Sequence, residues 1–397
     1  VAASIDDVRQ KLRALAAPVS VERVATPQAA GRVLRERIVA EAPLPAHDLS
    51  AMDGYALSTT ALEGAGPHRL RVRGEQRAGG PTNELWPASA MRIFTGARVP
   101  LGADAVVAQE DATRDGDEVL VASAPRPWQH VRRAGCDVAM GAEVLTPGAR
   151  LRPGTLALAL AVGAREVTVS RRPRVALVST GDELTPASEA RPGAVVDTNG
   201  PMLAALAAQA GAEVRSYPIV GDDLSATARA VGAALEEADV LVTVGGVSVG
   251  DHDHVRAALT LAGVTLDLWK VDMKPGKPLA VGHRAGRVVL GLPGNPGAAF
   301  ATFALFGMPL VRALQGDAHP EGPRHRLPLA HAHTRKPGRV ELARARLTSA
   351  GHLELHPDSS PASLAPLAWA DAFALLPAEA AILPAGSLLE VLRLAEL

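Results

Sequence analysis

Between Pro173 and about residue 316, short apolar runs alternate with stretches of helical periodicity, and that alternation leaves few folds open. Residues 175–179, 213–220 and 240–244 read as strands. Residues 201–210, closed by Gly211, and 225–237 read as helices, and a further helix runs from about His252 to Ala262. Later strands fall near 266–271, 279–281 and 288–290, and a last helix runs from Pro296, with proline in its first turn, to about Phe306. Strand and helix in succession predict a doubly wound, mostly parallel sheet covered by helices on both faces. The uncharged stretch 288–311 is long enough to cross a bilayer. Pro293, Asn295, Pro296 and Pro309 divide it, so it reads as strand, loop and buried helix, with no membrane span.

The flanking segments have other rhythms. Residues 1–42 carry Leu12, Leu15, Val21, Val24 and Leu34 among charges and read as amphipathic helix, ending at the Pro43–Pro45 break. Residues 43–140 show short alternating segments at 69–73 and 118–122, with turn signals at Gly79-Gly80-Pro81 and Asp115-Gly116. In 141–172 the apolar run 156–162 reads as a helix returning to the first segment. The expected architecture is α/β plus β in four parts. A helical connecting domain (1–42 plus 141–172) carries a β-rich inserted domain (43–140). An α/β domain (173–316) and a small β-barrel-like C-terminal domain (317–397) follow.

With 41 Lys+Arg against 42 Asp+Glu, a net charge of −1 excludes a broad nucleic-acid-binding surface. Four Trp, two Tyr and five Phe in 397 residues leave little for a stacking platform. Cys136 is the only cysteine, which removes internal disulfides, paired redox cysteines and zinc knuckles and suits a reducing, cytoplasmic setting. No basic segment followed by an apolar one opens the chain, so secretion has no support. His252 and His254 are two apart, on different helix faces, which disfavours a zinc pair.

In an open α/β sheet, ligands bind beyond the carboxyl ends of the strands. The loops there carry Ser179-Thr180-Gly181-Asp182-Glu183, Gly221-Asp222-Asp223, Gly245 to Asp253, and Leu292-Pro293-Gly294-Asn295-Pro296. Acidic side chains converging on one crevice repel each other unless a cation joins them, and oxygen ligands at a watery site select Mg²⁺. Lysine occurs only at 11, 270, 274, 277 and 336, so three of the five fall in one loop, Lys270 to Lys277. A compact ammonium suits phosphate or another oxyanion, and the amides of the Gly245–Gly250 loop suit the same guest. Together they point to a phosphate ester or anhydride handled with Mg²⁺. Taken singly, each has a plainer explanation: Asp53-Gly54 as a hairpin turn, Asp182, Glu183, Asp222 and Asp223 as helix caps, Gly245-Gly246 as a tight turn. A rival also exists. Gly246-Val247-Ser248-Val249-Gly250 matches the nucleophile elbow of serine hydrolases, with Asp267 or Asp272 and then His283 in the required order, although no His-Gly-Gly oxyanion segment precedes it.

Eight segments in order resemble the molybdopterin molybdotransferase family, which includes the C-terminal domain of gephyrin. They are Ser50 to Ala56, Ile93 to Ala97 with Pro100 to Asp104, Arg133 to Val138, Ser179 to Leu184, Asp197-Thr198-Asn199, Gly245 to Asp253, Lys274 to Pro278, and Leu292 to Pro296. The resemblance implies an elongated homodimer whose site lies between the α/β domain of one subunit and the β-rich domain of the other. It implies functional roles for Asp53, Thr95, Glu183, Asp222, Asp253, Lys270, Lys274 and Arg344. The implied substrates are molybdate and adenylylated molybdopterin, supplied by an upstream molybdopterin adenylyltransferase, with release of AMP. On that basis Glu183, Asp222 and Asp253, with Asp182, hold Mg²⁺ or orient a water, and Lys270, Lys274 and Lys277 neutralise oxyanions. Gly245, Gly246 and Ser248 bind the pterin phosphate, and Thr180, Gly181, Pro293, Asn295 and Ser360 complete the substrate site. A non-catalytic pterin-binding paralogue is the alternative. Gly297 stands where the family usually has a branched residue, a departure expected to affect only helix packing.

Overall fold

The computed structural model describes residues 2–64, 66–246 and 254–396. Six strands, β1 (Arg174–Ser179), β2 (Glu213–Ser216), β3 (Val240–Val244), β4 (Thr265–Lys270), β5 (Pro278–Arg284) and β6 (Arg287–Leu292), form one sheet in the order β2-β1-β3-β6-β5-β4. The first four in that order are parallel, while β5 and β4 add antiparallel, so the sheet is mixed. The reason is local: β5 and β6 are joined by Ala285-Gly286, both at positive φ (47° and 78°), a two-residue hairpin that leaves no room for a crossover helix.

Among the described residues seven α-helices occur: α1 (Ile5–Leu15), α2 (Pro153–Ala161), α3 (Asn199–Gln209), α4 (Leu224–Glu237), α5 (His254–Leu261), α6 (Pro296–Leu314) and α7 (Ala365–Trp369). Side chains alternate across a strand, so Val175 and Leu177 of β1 face α3 and α6, packing with Leu203, Phe303 and Phe306. Ala176 and Val178 face the other way, against Leu235 of α4 and Leu259 of α5. Both faces are covered, as expected of a doubly wound sheet. α6 runs past the predicted end because Phe303–Gly307 forms a π-helical turn. Hydrogen bonds there shift by one residue, which lets Pro309, with no N–H to give, sit inside the helix without stopping it. The 19-residue helix is long and apolar enough to cross a membrane, yet 83% of its most apolar window is buried, so it serves as a core helix.

The helical reading of residues 1–42 is corrected. Only Ile5–Leu15 is α-helical, opened by a reciprocal Ser4–Asp7 capping box. Val21 and Val24 lie in a strand, Val21–Ala25, that pairs antiparallel with Glu166–Ser170. Their β-branched side chains suit a strand, and the two charges between them are each paired, Glu22 with Arg32 and Arg23 with Glu166. α1 packs into the α/β core through Val8 and Leu12. α2 does return to the first segment, where Ala159 and Val162 bury against Ala29, Leu34 and Ile38. Residues 54–121 carry a six-stranded sheet. In the C-terminal sheet β7 (Val340–Leu347) pairs with Ala372–Leu376 on one side, and on the other with Met273–Lys274, a strand supplied by the lysine loop.

One carboxylate adds a polar tie between the first segments and the α/β domain. Asp239 accepts from Nη1 and Nη2 of Arg171, both at 2.7 Å, and from the Arg174 amide at 2.8 Å. Burial pushes its carboxyl up, but the Arg171 guanidinium and the Arg174 amide outweigh that and hold it below the ordinary 3.8. A depressed carboxylate contributes stability above its unfolded value and loses it as pH falls through the lowered folded value. Asp239→Asn is therefore expected to cost about 2 kcal/mol at neutral pH, a partly buried pair being worth less than a fully buried one. The deficit should shrink on acidification below 3.8, as urea unfolding across a pH series measures.

Candidate functional site

The described residues of the four loops, which for the third are Gly245 and Gly246, share one sheet edge as expected. Thr180 donates its backbone N–H to Val244 O at 3.0 Å, and Gly245 N donates to Leu292 O at 3.1 Å, so the tips of β1, β3 and β6 are stitched side by side. Gly245 adopts φ 88°, and a Cβ there would stand 2.7 Å from Thr180 O. Gly246 adopts φ 58°, and its Cβ would stand 2.4 Å from Val255. Only glycine lets the chain turn this closely past its neighbours. The next loop is tied in the same way, because Gly181 N donates to Val220 O at 3.0 Å and the Asp222 amide donates to Asp182 Oδ1 at 2.9 Å.

Those bonds sort the acidic residues. Asp182 is committed to the backbone of the adjacent loop, and Asp223 caps α4 by accepting from Ala226 N at 2.6 Å, so the helix-cap reading describes Asp223 and not Asp182. Glu183 and Asp222 are exposed, and neither carboxylate has a hydrogen-bond or ion-pair partner among the described residues. The Glu183 carboxylate lies over Gly181, where a Cβ would meet it at 2.6 Å. Among the described residues no group of three or more His, Cys, Asp and Glu is placed to hold a metal. Asp253 and Ser248, with His252, lie outside the described residues. Pro293 is buried, while Asn295 is exposed and precedes the first residue of α6.

The lysine loop lies at the same end of the sheet. Ala280 of β5 is opposite Gly291 of β6, so Pro278 and Lys277 stand beyond the carboxyl tip of β6. Lys270 and Lys277 are exposed. Lys274 donates to Glu341 Oε1 at 3.1 Å, and the buried Glu341 is also paired with Arg335 at 3.3 Å. Lys274, Glu341, Arg344 and Asp358 line one cavity of about 590 Å³ where the α/β and C-terminal domains meet. Arg344 is 3% exposed and donates from Nη2 to Ser360 O at 2.9 Å. Its Nε has no partner, and burial pushes its guanidinium below the ordinary value. Asp358 accepts from Ser360 N at 2.7 Å, and bonds from the Ser363 hydroxyl and that amide hold its carboxyl low. A guanidinium and an ammonium lining one cavity are the donor types that suit an oxyanion.

Asp53 and Thr95 form a separate pair in the β-rich domain. Asp53 Oδ1 accepts from Thr95 N at 2.7 Å and from Thr95 Oγ1 at 2.8 Å, and those two bonds hold the carboxyl below the ordinary value. The serine-hydrolase reading loses its histidine. His283 does bond Asp267, Nδ1 to Oδ2 at 2.9 Å, but it sits opposite Val288, at the far end of β6 from Leu292 and the glycine loop. Lys11 of α1 completes that pair at 2.9 Å from Asp267 Oδ1, so Asp267 fastens a helix. Sequence reasoning missed Glu341, Arg335 and Asp358. It quoted Asp197 and Asn199 without a role: Asp197 accepts from Ser179 Oγ at 2.8 Å, and Asn199 Nδ2 donates to Gly294 O at 2.7 Å.

Three family models cover most of the chain: MoeA N-terminal region (domain I and II) over residues 3–163, probable molybdopterin binding domain over 176–313, and MoeA C-terminal region (domain IV) over 326–394. This succession defines a transferase class of molybdenum cofactor biosynthesis. Molybdopterin molybdenumtransferase of Haemophilus influenzae is 38% identical over 346 residues, covering 86% of this chain and 85% of that protein. Molybdopterin molybdenumtransferase 2 of Mycobacterium tuberculosis is 38% identical over 330 residues, covering 81% and 82%. The crystal structure of the molybdopterin biosynthesis MoeA protein from Pyrococcus horikoshii OT3 superposes with a TM-score of 0.85 at 26% identity, over 98% of this chain and 99% of that one. The chain belongs to the MoeA family of molybdopterin molybdenumtransferases.

Proposed function

We propose that this chain inserts molybdate into adenylylated molybdopterin and releases AMP, forming the molybdenum cofactor. The observation that carries the reading is the cavity holding Lys274 and Arg344 beside the strand-tip crevice, an oxyanion site next to a phosphate site. Exposed carboxylates on adjacent loops, Glu183 and Asp222, fit a hard divalent cation and, with Asp253, would hold Mg²⁺. When bound, that ion supplies charge neutralisation at the anhydride being hydrolysed. The Gly245 and Gly246 amides, with Ser248, orient the pterin phosphate. Thr180, Gly181, Pro293 and Asn295 shape the crevice, while Asp182 positions the Asp222 loop. Lys270 and Lys277, exposed at the same tip, draw in the anionic substrate. Lys274, Arg344 and Ser360 hold molybdate in the cavity.

Asp53 and Thr95 have their hydrogen bonds within the β-rich domain, and in this reading they serve the crevice of a second copy in a cytoplasmic homodimer. An upstream adenylyltransferase supplies the activated pterin. The test is incubation with adenylylated molybdopterin, Mg²⁺ and molybdate. The wild type is expected to release AMP in step with molybdate, and Lys274→Ala to lose at least tenfold, since one charge-assisted contact contributes that much. Tight pterin binding without AMP release by the wild type would instead mark a non-catalytic paralogue.

A further inference from the structure

Gly297 is the second residue of α6, and its backbone is helical, so a positive φ does not explain the glycine. In that setting alanine is the better helix former, and what glycine provides is space. A Cβ at position 297 would stand 2.1 Å from Arg344 Nη2 and 3.3 Å from Cζ, inside the guanidinium itself. It would also stand 2.9 Å from Pro361 O, the carbonyl that accepts the Gly297 amide at 2.8 Å. The guanidinium is thus seated on bare Cα at the amino end of α6. Nη2 is held by Ser360 O at 2.9 Å, and the same loop is braced by Asp358 accepting from Ser360 N at 2.7 Å. The amino end of a helix disfavours a cation, so the seat depends on those carbonyls and on the notch that admits the side chain. The family usually has a branched residue at this place, so the notch, and an arginine seated in it, are features of this chain and reach beyond helix packing.

We infer that Gly297 is a positioning residue for oxyanion binding: it sets where the Arg344 guanidinium and the 358–361 loop stand in the cavity. The inference rests on the reading of that cavity as the molybdate site. A side chain at 297 drives Nη2 off Ser360 O and shifts the loop with it, so the anion meets a misplaced cation. Molybdate binding by isothermal titration calorimetry, with steady-state AMP release, tests it. Gly297→Ala is expected to bind molybdate about tenfold more weakly and to raise the KM for molybdate about tenfold, with kcat at saturation within twofold of the wild type. Lysine has no Nη2, so Gly297→Ala in an Arg344→Lys background keeps only the milder contact with Pro361 O and is expected to add less than about twofold further loss. It also serves as the folded comparison where the single variant does not fold. Wild-type affinity in Gly297→Ala, losses that add in the double variant, or a double variant that still fails to fold would each overturn the inference. Unchanged molybdate affinity in Arg344→Ala overturns the reading of the cavity itself, which separates the two failures.

Discussion

Arg344→Ala is expected to lower molybdate-dependent AMP release by about a hundredfold or more, with the pterin substrate still bound. The side chain is 3% exposed and lines the cavity with Lys274, so its charge acts where water screens little. Its loss removes a charge-assisted contact to the oxyanion and leaves Ser360 O without its donor, and either alone is worth more than 1 kcal/mol. Together they exceed the effect at Lys274, which is partly exposed and whose partner Glu341 keeps Arg335. Single-turnover AMP release at rising molybdate reads the result, and pterin binding measured separately should move little because the strand-tip loops are untouched. Release within a few-fold of the wild type would remove Arg344 from the site.

The second large effect concerns stability. Phe303→Ala is expected to cost about 3–5 kcal/mol, the range for emptying a fully buried aromatic site. Phe303 has no exposed surface, lies in the π-helical turn of α6, and packs its ring onto Gly307, where a Cβ would stand 2.3 Å away. The ring lies against helix backbone at Gly307, which cannot move in to refill the space. For a domain of this size the α/β transition in calorimetry should fall by roughly 10 °C. A shift of a degree or two would mean that the site refills.

What the sequence revealed and what it hid follow from how each feature is made. The strand tips were legible because short apolar runs ending in glycine or acidic residues can lie only at one edge of a parallel sheet, and Thr180, Gly245 and Leu292 do meet there. The lysine cluster was legible from composition, since arginine fills nearly every other basic position. Glu341 and Asp358 were hidden because they reach the site only when Met273–Lys274 joins β7, a pairing between segments some 65 residues apart that no local periodicity records. Residues 16–42 misled because Val21, Val24 and Leu34 fit helical spacing loosely, while the pairing with Glu166–Ser170 is long-range. The hydrolase-like order, named only as a rival, shows the complementary point: order in sequence does not fix which end of a strand a residue occupies, and His283 lies opposite Val288, away from Leu292.

The strand Met273–Lys274 continues from β4 in sequence and bonds into the sheet of β7. A ladder shared in this way works like a rivet. The cavity lined by Lys274 and Glu341 cannot part along the seam between the two domains without breaking main-chain bonds, so it opens at its rim, where Lys336 and Gly338 are exposed. Amide exchange at Lys274 and Glu341 should accordingly be slow and synchronous, and that at 336–338 fast.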